Sequence, residues 1–358
     1  MDARERNNAE MEQFSDLKKR TSLLSESFFR LGFDKKSERC HNCGTQLQFV
    51  APISSLNDDT DYKLTEANFC RERLCPMCAR RRSLKIFGQV SKIVDHIDPN
   101  QYEFLLLTLT VPNIPGDQLS DKISEMQKAF NKLIHYKRFK NAVAGFFRAL
   151  EVTYNHKKRS KSCDTFHPHY HVILLVPKNY FTSDLYIKRN EFLDMWCRAM
   201  QDPSITQVDV RKVSETKDKK RGIISKAGAI AEVAKYTVKS SDYIFPNNPA
   251  MTDKVVSVLS AALKGRRLVA FGGLFAQIKS LLGLDDPEDG DLIHVDPDDT
   301  VENSPLYLVR RWVWKNQYFL QDECVETANE LKDREEKRKQ AWLEWLRQVR
   351  LHKKRLAA

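Results

Sequence analysis

The apolar residues of this chain fall into short runs with two periodicities. Gln101 to Val111 (QYEFLLLTLTV), ended by Pro112, and Phe146 to Asn155 (FFRALEVTYN) are β-rich and partly alternating, so each is expected to be a strand. Between them, Ile123, Met126, Phe130, Leu133 and Ile134 recur at helical spacing within Leu119 to Arg138. A third strand is expected at His169 to Val176, a helix at Leu185 to Met200, and a fourth strand around Gln207 to Val213. Met1 to about Lys36 patterns as one or two short helices, and the chain from Thr252 onward reads as mainly helical. That last region holds an acidic, loop-like stretch, Asp285 to Glu302. It also holds a mixed-charge helical run, Lys332 to Arg355, carrying Trp342, Leu343, Trp345, Leu346, Val349 and Leu351.

The order strand, helix, strand, strand, helix, strand predicts an α+β fold, a central antiparallel sheet with flanking helices close to the ferredoxin-like pattern. Four consecutive segments are expected: a helical segment at 1–36, a Cys-rich module at 37–82, the sheet domain at 83–248 and a mainly helical region at 249–358.

Composition narrows the function. With 358 residues, 41% hydrophobic and 30% charged, the chain can bury a core without disulfides and lacks the apolar-poor signature of disorder. The 59 Lys+Arg against 48 Asp+Glu leave a net charge of +11, which points to a polyanionic partner, with nucleic acid as the leading candidate. The N-terminus is charged from its second residue and has no apolar signal core, so a cytoplasmic location is expected. The most apolar runs are far shorter than the roughly 20 residues of a membrane helix, and no membrane partner is expected.

Of eight cysteines, five lie between Cys40 and Cys78. Cys40-His-Asn-Cys43 and Cys70-Arg-Glu-Arg-Leu-Cys75-Pro-Met-Cys78 supply two Cys-x2-Cys pairs and one more thiol. Such pairs present two thiolates each from tight turns, and tetrahedral structural Zn²⁺ takes four. Cys40, Cys43, Cys70, Cys75, Cys78 and His41 are the six candidate ligands, the alternative being a metal-free cluster of buried cysteines. Arg80, Arg81, Arg82 and Lys85 follow at once, either as a phosphate-facing DNA-binding edge or as a solvated charged face.

His167-Pro-His169-Tyr-His171 opens the third strand. Side chains alternate along a strand, so His169 and His171 project from one face about 7 Å apart and can converge on one ion. A divalent ion also favours a carboxylate, and Glu151 would sit beside the two histidines if the second and third strands pair as a hairpin. Two His and one carboxylate are also the ligand set of non-haem iron oxygenases.

Ala227 to Ser240 (AGAIAEVAKYTVKS) patterns as a helix. At about 100° per residue, Glu232, Tyr236 and Lys239 fall within about 60° of one another, opposite Ile230, Val233, Ala234, Thr237 and Val238. A polar-face tyrosine with a carboxylate one turn earlier and lysines at Lys235 and Lys239 is a candidate nucleophile near phosphate, with Glu232 as general base.

Taken together, these residues resemble the single-tyrosine plasmid rolling-circle replication initiators of the HUH endonuclease superfamily, whose nicking domain is ferredoxin- or RRM-like. FLLLTLTVPN (Phe104 to Asn113) looks like the family's first motif, HPHYHVILLV its histidine motif and EVAKYTVK (Glu232 to Lys239) its tyrosine motif. Lys264 to Phe275 (KGRRLVAFGGLF) is also similar to family members. The resemblance implies nicking of one strand at the double-strand origin of a plasmid, with a 5′-phosphotyrosine ester retained and a 3′-hydroxyl left for the host DNA polymerase. It implies Tyr236 as nucleophile, Mg²⁺ or Mn²⁺ on His169 and His171 with Glu151 as third ligand, and Glu232 activating water at termination. The family's cysteine pattern implies Cys43, Cys70, Cys75 and Cys78 as zinc ligands, with Cys40 as an alternative first ligand.

Three functions follow: a DNA-nicking and strand-transferring initiator (or a relaxase or transposase of the same chemistry), a non-catalytic zinc-dependent DNA-binding regulator, and an iron oxygenase. The chain has no Gly-x4-Gly-Lys-Ser/Thr loop, so unwinding would fall to a host helicase. The aromatic-bearing helix at Trp342 to Leu351 offers a contact surface for a homodimer.

Overall fold

A computed structural model describes residues 3–56, 60–213, 216–217, 224–225, 240–295 and 304–357. The chain opens with helices α1 (Ala3–Arg30) and α2 (Asp34–Asn42), then strands β1 (Gln46–Pro52) and β2 (Lys63–Ala67). Helix α3 (Pro76–Asp95) leads into β3 (Tyr102–Thr110), α4 (Leu119–Leu133), α5 (Lys137–Ala142) and the long hairpin β4 (Gly145–Asn155) and β5 (Thr165–Pro177). There follow α6 (Arg189–Met200), β6 (Val208–Lys212), the short pair β7 (Thr216–Lys217) and β8 (Ile224–Ser225), α7 (Pro249–Ala262), β9 (Val269–Gly273) and α8 (Leu274–Leu281). The hairpin β10 (Leu306–Trp314) and β11 (Tyr318–Thr327) and helix α9 (Ala328–Ala357) complete the described chain.

Contacts divide it into two units that interleave in sequence. The larger unit takes Lys18–His41 and Cys70–Asp298. Its five-stranded sheet runs β6-β3-β5-β4-β9, all antiparallel, which for the first four strands is the ferredoxin-like order. One face carries Phe147, Ala149, Ile173 and Leu175 against Ile86, Val90, Ile93 and Val94 of α3 and Phe275 and Ile278 of α8. The opposite face packs on aromatic rings: Phe130 of α4 lies 5.2 Å from Phe146 and 5.7 Å from Tyr170, and Trp196 of α6 lies 6.4 Å from Tyr170. The indole N–H of Trp196 donates to the Thr110 carbonyl (2.8 Å), anchoring α6 to the last residue of β3.

Strand β9 adds a fifth, edge strand by using glycine. A Cβ on Gly272 would stand 2.2 Å from the Phe146 ring, and Gly273 has φ +57° with its Cβ position 2.3 Å from the Ala144 carbonyl. Gly273 admits no L side chain without strain, and at Gly272 the Phe146 ring would have to move aside, so the pair lets β9 lie close on β4 and turn directly into α8.

The smaller unit takes Met1–Leu17, Asn42–Phe69 and Asp299–Ala358. It contains a four-stranded antiparallel sheet, β11-β10-β1-β2, in which Gln46 to Pro52 pair with Val313 to Tyr307. Val50, Tyr307 and Val309 form its core with Cys324, Ala328 and Leu331, and Phe14 meets Phe49 edge-on at 5.9 Å. The mainly helical C-terminal region is therefore interrupted by β9 and by a long hairpin that the apolar pattern read as helical. No helix among the described residues is long and apolar enough to cross a membrane.

Candidate active site and metal centres

The hairpin register brings the expected carboxylate to the histidines. Glu151 pairs directly with His169, Ala149 with His171 and Phe147 with Ile173. Because the side-chain period is two, Phe147, Ala149 and Glu151 share a face with Ile173, His171 and His169. That face is apolar where α3 and α8 cover it and changes character after Ala149, where the three polar side chains gather. Glu151 Oε2 lies 3.1 Å from His169 Nε2 and 2.9 Å from His171 Nε2.

Burial, which leaves Glu151 5% exposed, pushes its carboxyl up. The hydrogen bonds and charge of His169 and His171 outweigh that and hold it down at about 2, so the group is a carboxylate at neutral pH. His169 turns its Nδ1 toward the His167 carbonyl at 3.1 Å, an arrangement that leaves the Nε2 lone pair for a cation when Nδ1 carries the proton. His171 turns its Nδ1 toward Thr108 Oγ1 at 3.5 Å, and Thr108 is its cross-strand partner on β3. His167 stacks on His169 with centroids 5.0 Å apart, and burial together with that neighbour lowers its basicity.

The three donors fit a divalent ion. Adjacent ligands of an octahedral ion with bonds of about 2.1 Å lie about 3.0 Å apart, and the two Glu151 separations are 3.1 and 2.9 Å. A carboxylate and two imidazoles suit Mn²⁺ or another first-row ion at least as well as Mg²⁺. Thr108 and the His167 carbonyl were not anticipated. The signal for Thr108 was its polar side chain, with that of Thr110, inside the mostly apolar FLLLTLTV run.

The second cluster joins Cys43, Cys70, Cys75 and Cys78, whose sulfurs all lie within 4.8 Å of one another. Thiolates at about 2.3 Å from a tetrahedral zinc stand about 3.8 Å apart, and Cys70 Sγ to Cys78 Sγ is 3.7 Å. The backbone N–H groups of Arg71 and Glu72 point at Cys78 Sγ (3.2 Å) and Cys70 Sγ (3.4 Å), and Arg71 takes φ +59° to make that turn. Cys75 caps α3 and Cys78 lies in its first turn, where the helix dipole favours thiolate. Cys40 is fully buried, with its sulfur 3.9 Å from that of Cys70. Its thiol is pushed up, because a hydrogen bond with Cys70 that lowers it is outweighed by one with Cys75 and by burial.

The basic run at the start of α3 is engaged by the chain itself. Arg81, 6% exposed, donates from Nε to the Leu292 carbonyl (2.8 Å) and from Nη2 to the Ile293 carbonyl. Arg82 donates to the Glu288 carbonyl (3.0 Å) and to the carbonyls of Glu72 and Arg71. Lys85 donates to Asp285 Oδ2 (2.5 Å) and the Asp291 carbonyl (2.7 Å). These side chains hold the acidic segment from Asp285 to Ile293 on the larger unit, while Arg80 is half-buried. Glu232, Lys235, Tyr236 and Lys239 lie outside the described residues.

A family model described as a replication protein matches residues 61–320, a span that contains both the Glu151/His169/His171 site and Cys70, Cys75 and Cys78. Protein rep of Bacillus amyloliquefaciens is 38% identical over 316 residues, covering 82% of this chain and 89% of the relative. Protein rep of Streptococcus pneumoniae serotype 2 is 34% identical over 305 residues, covering 84% and 89%. Protein rep of Staphylococcus aureus is 34% identical over 243 residues, covering 67% and 98%. No solved structure matches the chain. With a metal-competent Glu/His/His site on a ferredoxin-like sheet and relatives of this similarity over most of its length, the chain belongs to the replication protein (Rep) family.

Proposed function

We propose that the protein is a plasmid rolling-circle replication initiator that nicks one strand at the double-strand origin and transfers it through a 5′-phosphotyrosine intermediate. The observation that carries this reading is the meeting of Glu151, His169 and His171 on one sheet face in a member of the Rep family. Tyr236 is the proposed nucleophile: its Oη forms a bond to the scissile phosphorus, the P–O3′ bond breaks, and the 3′-oxygen leaves as the primer end for a host DNA polymerase. Glu151, His169 and His171 would hold Mg²⁺ or Mn²⁺, which when bound draws charge from the phosphoryl oxygens. Glu232 is the proposed base that removes the proton from the water that releases the chain at termination, and Lys235 and Lys239 are the proposed source of positive charge for the phosphate. Cys43, Cys70, Cys75 and Cys78 would hold a structural Zn²⁺, and a host helicase would unwind the template.

A non-catalytic DNA-binding regulator needs the cysteine cluster but gives no reason for three convergent metal donors in a buried position, and an iron oxygenase gives no reason for the family. The test is nicking of a supercoiled plasmid carrying the cognate origin, with and without Mn²⁺, followed by mapping of the residue attached to DNA. Tyr236→Phe should abolish the covalent adduct; an adduct that survives assigns the nucleophile elsewhere.

A further inference from the structure

Among the described residues of the larger unit, an uncommitted positive patch lies at the tip of the β4–β5 hairpin that carries the Glu151/His169/His171 site. The connecting residues 156–164 read HKKRSKSCD, and His156, Lys157, Lys158, Arg159 and Lys161 are all exposed. No side-chain ion pair joins Lys157, Lys158, Arg159 or Lys161 to any described residue, in contrast to Arg81, Arg82 and Lys85. The one acid of the loop, Asp164, is occupied by the Tyr154 hydroxyl (2.8 Å) and by Lys254.

The tip is also a built structure rather than a loose basic run. The Asn155 side chain donates to Ser160 Oγ (3.0 Å) and Ser162 Oγ (2.9 Å) and accepts from the Lys157 N–H (3.1 Å). Thr165 Oγ1 donates to the Ser162 carbonyl (2.5 Å), and Asp164 takes φ +63° to close the turn. This network holds the backbone while the cationic side chains stay in water, which lowers the ordering entropy a bound polyanion must overcome.

A polar track connects the tip to the metal-competent site. Alternation puts Thr153 and Asn155 on the face of Glu151, and His167 and Thr165 on the face of His169. Asn113 reaches the same track through Thr165 Oγ1 at 3.0 Å. From Glu151 to Asn155 is four residues, or about 13 Å along the strand, equivalent to about four phosphates of a stacked strand at about 3.4 Å each. Small hydrogen-bonding side chains followed by free cations suit a phosphate backbone, and exposed His156 adds a ring at the end of the path.

We infer that the β4–β5 tip binds the phosphate backbone of the single DNA strand that leads away from the Glu151/His169/His171 site. This rests on the nicking reading for the strand's origin, but its test does not depend on nicking. The full-length protein and the combined variant Lys157→Ala, Lys158→Ala, Arg159→Ala, Lys161→Ala are titrated with a labelled oligo-dT of about 30 nucleotides over a range of salt. A single strand contributes a slope of about −0.7 per neutralised phosphate, so removing four contacts should flatten the plot of log K against log salt by about 3. The charge-preserving variant Lys157→Arg, Lys158→Arg, Lys161→Arg should keep the wild-type slope. An unchanged slope in the alanine variant, with an unchanged circular dichroism spectrum, overturns the inference. A loss seen with a duplex of equal length but not with oligo-dT overturns the single-strand assignment. A wild type that never nicks cognate plasmid while the variant loses oligo-dT affinity sinks the nicking reading and leaves the binding surface standing.

Discussion

Glu151 and His169 are direct cross-strand partners, and this pairing places the carboxylate oxygen 3.1 Å from the imidazole Nε2. His171, two residues on, reaches the same oxygen at 2.9 Å from the adjacent position on the same face. The site is thus a property of hairpin register: a slip of one residue would turn Glu151 to the opposite face of the sheet.

Replacing Glu151 by Gln keeps the shape and removes the anion. Loss of even an indirect partner of a metal site costs about 10–100-fold in affinity, so loss of this donor should cost at least that much Mn²⁺ affinity by calorimetry. Asp164→Asn, an exposed carboxylate on the same hairpin in a left-handed conformation that asparagine tolerates, should leave Mn²⁺ affinity unchanged. Equal affinities for wild type and Glu151→Gln would remove Glu151 from the ligand set.

Cys75→Ser or Cys78→Ser should release a bound zinc, measured by elemental analysis, and lower the melting temperature, as should a strong chelator. Both residues are fully buried at the start of α3, so metal loss leaves their thiols crowded together under the helix N-terminus without the ion that joins them. Cys40→Ser should retain one zinc per chain, because the four-sulfur group closes without it. A zinc-free Cys40→Ser protein with a zinc-bearing Cys43→Ser protein would exchange the two assignments.

What was legible in the sequence follows from the range of the interactions. Alternation along FFRALEVTYN and HPHYHVILLV is local, and it places Glu151, His169 and His171 on one hairpin face once the two strands are neighbours in the chain. The role of Arg81 was not legible, because its acceptors are backbone carbonyls of Leu292 and Ile293 more than 200 residues away, and carbonyls leave no trace in residue identity. The hairpin of Leu306–Trp314 and Tyr318–Thr327 was missed although both strands are rich in aromatic and β-branched residues; what the sequence does not carry is the pairing of Leu306–Trp314 with the distant Gln46–Pro52. Cys40 looked interchangeable with Cys43 because spacing alone does not say which thiol meets the other three.

Arg81→Ala leaves two buried carbonyls without a charged donor. A loss of about 2–3 kcal/mol is expected, which for a unit of this size lowers the melting temperature by roughly 4–12 °C. Arg81→Lys keeps the charge but not the fork and should fall between wild type and Ala. Hydrogen exchange of the segment around Leu292 should accelerate in both variants. Wild-type melting in Arg81→Ala would show that the acidic segment is held without this contact.

The same segment should loosen in acid. Burial pushes the Asp286 carboxyl up, but the N–H groups of Asp289 (3.0 Å) and Glu288 (2.9 Å) and the Arg267 guanidinium (2.8 Å) bring it below its ordinary 3.8. A group with a lowered folded value binds its proton more readily when unfolded, so it stabilises the fold above pH about 4 and loses that contribution as pH falls through the folded value. Limited proteolysis should therefore cut within Asp285 to Ile293 faster at pH about 3 than at pH about 7. Asp286→Asn, whose amide oxygen can still accept from both N–H groups, should show less of this pH dependence. If the variant and the wild type respond to acid alike, the loosening begins at another carboxylate of the segment.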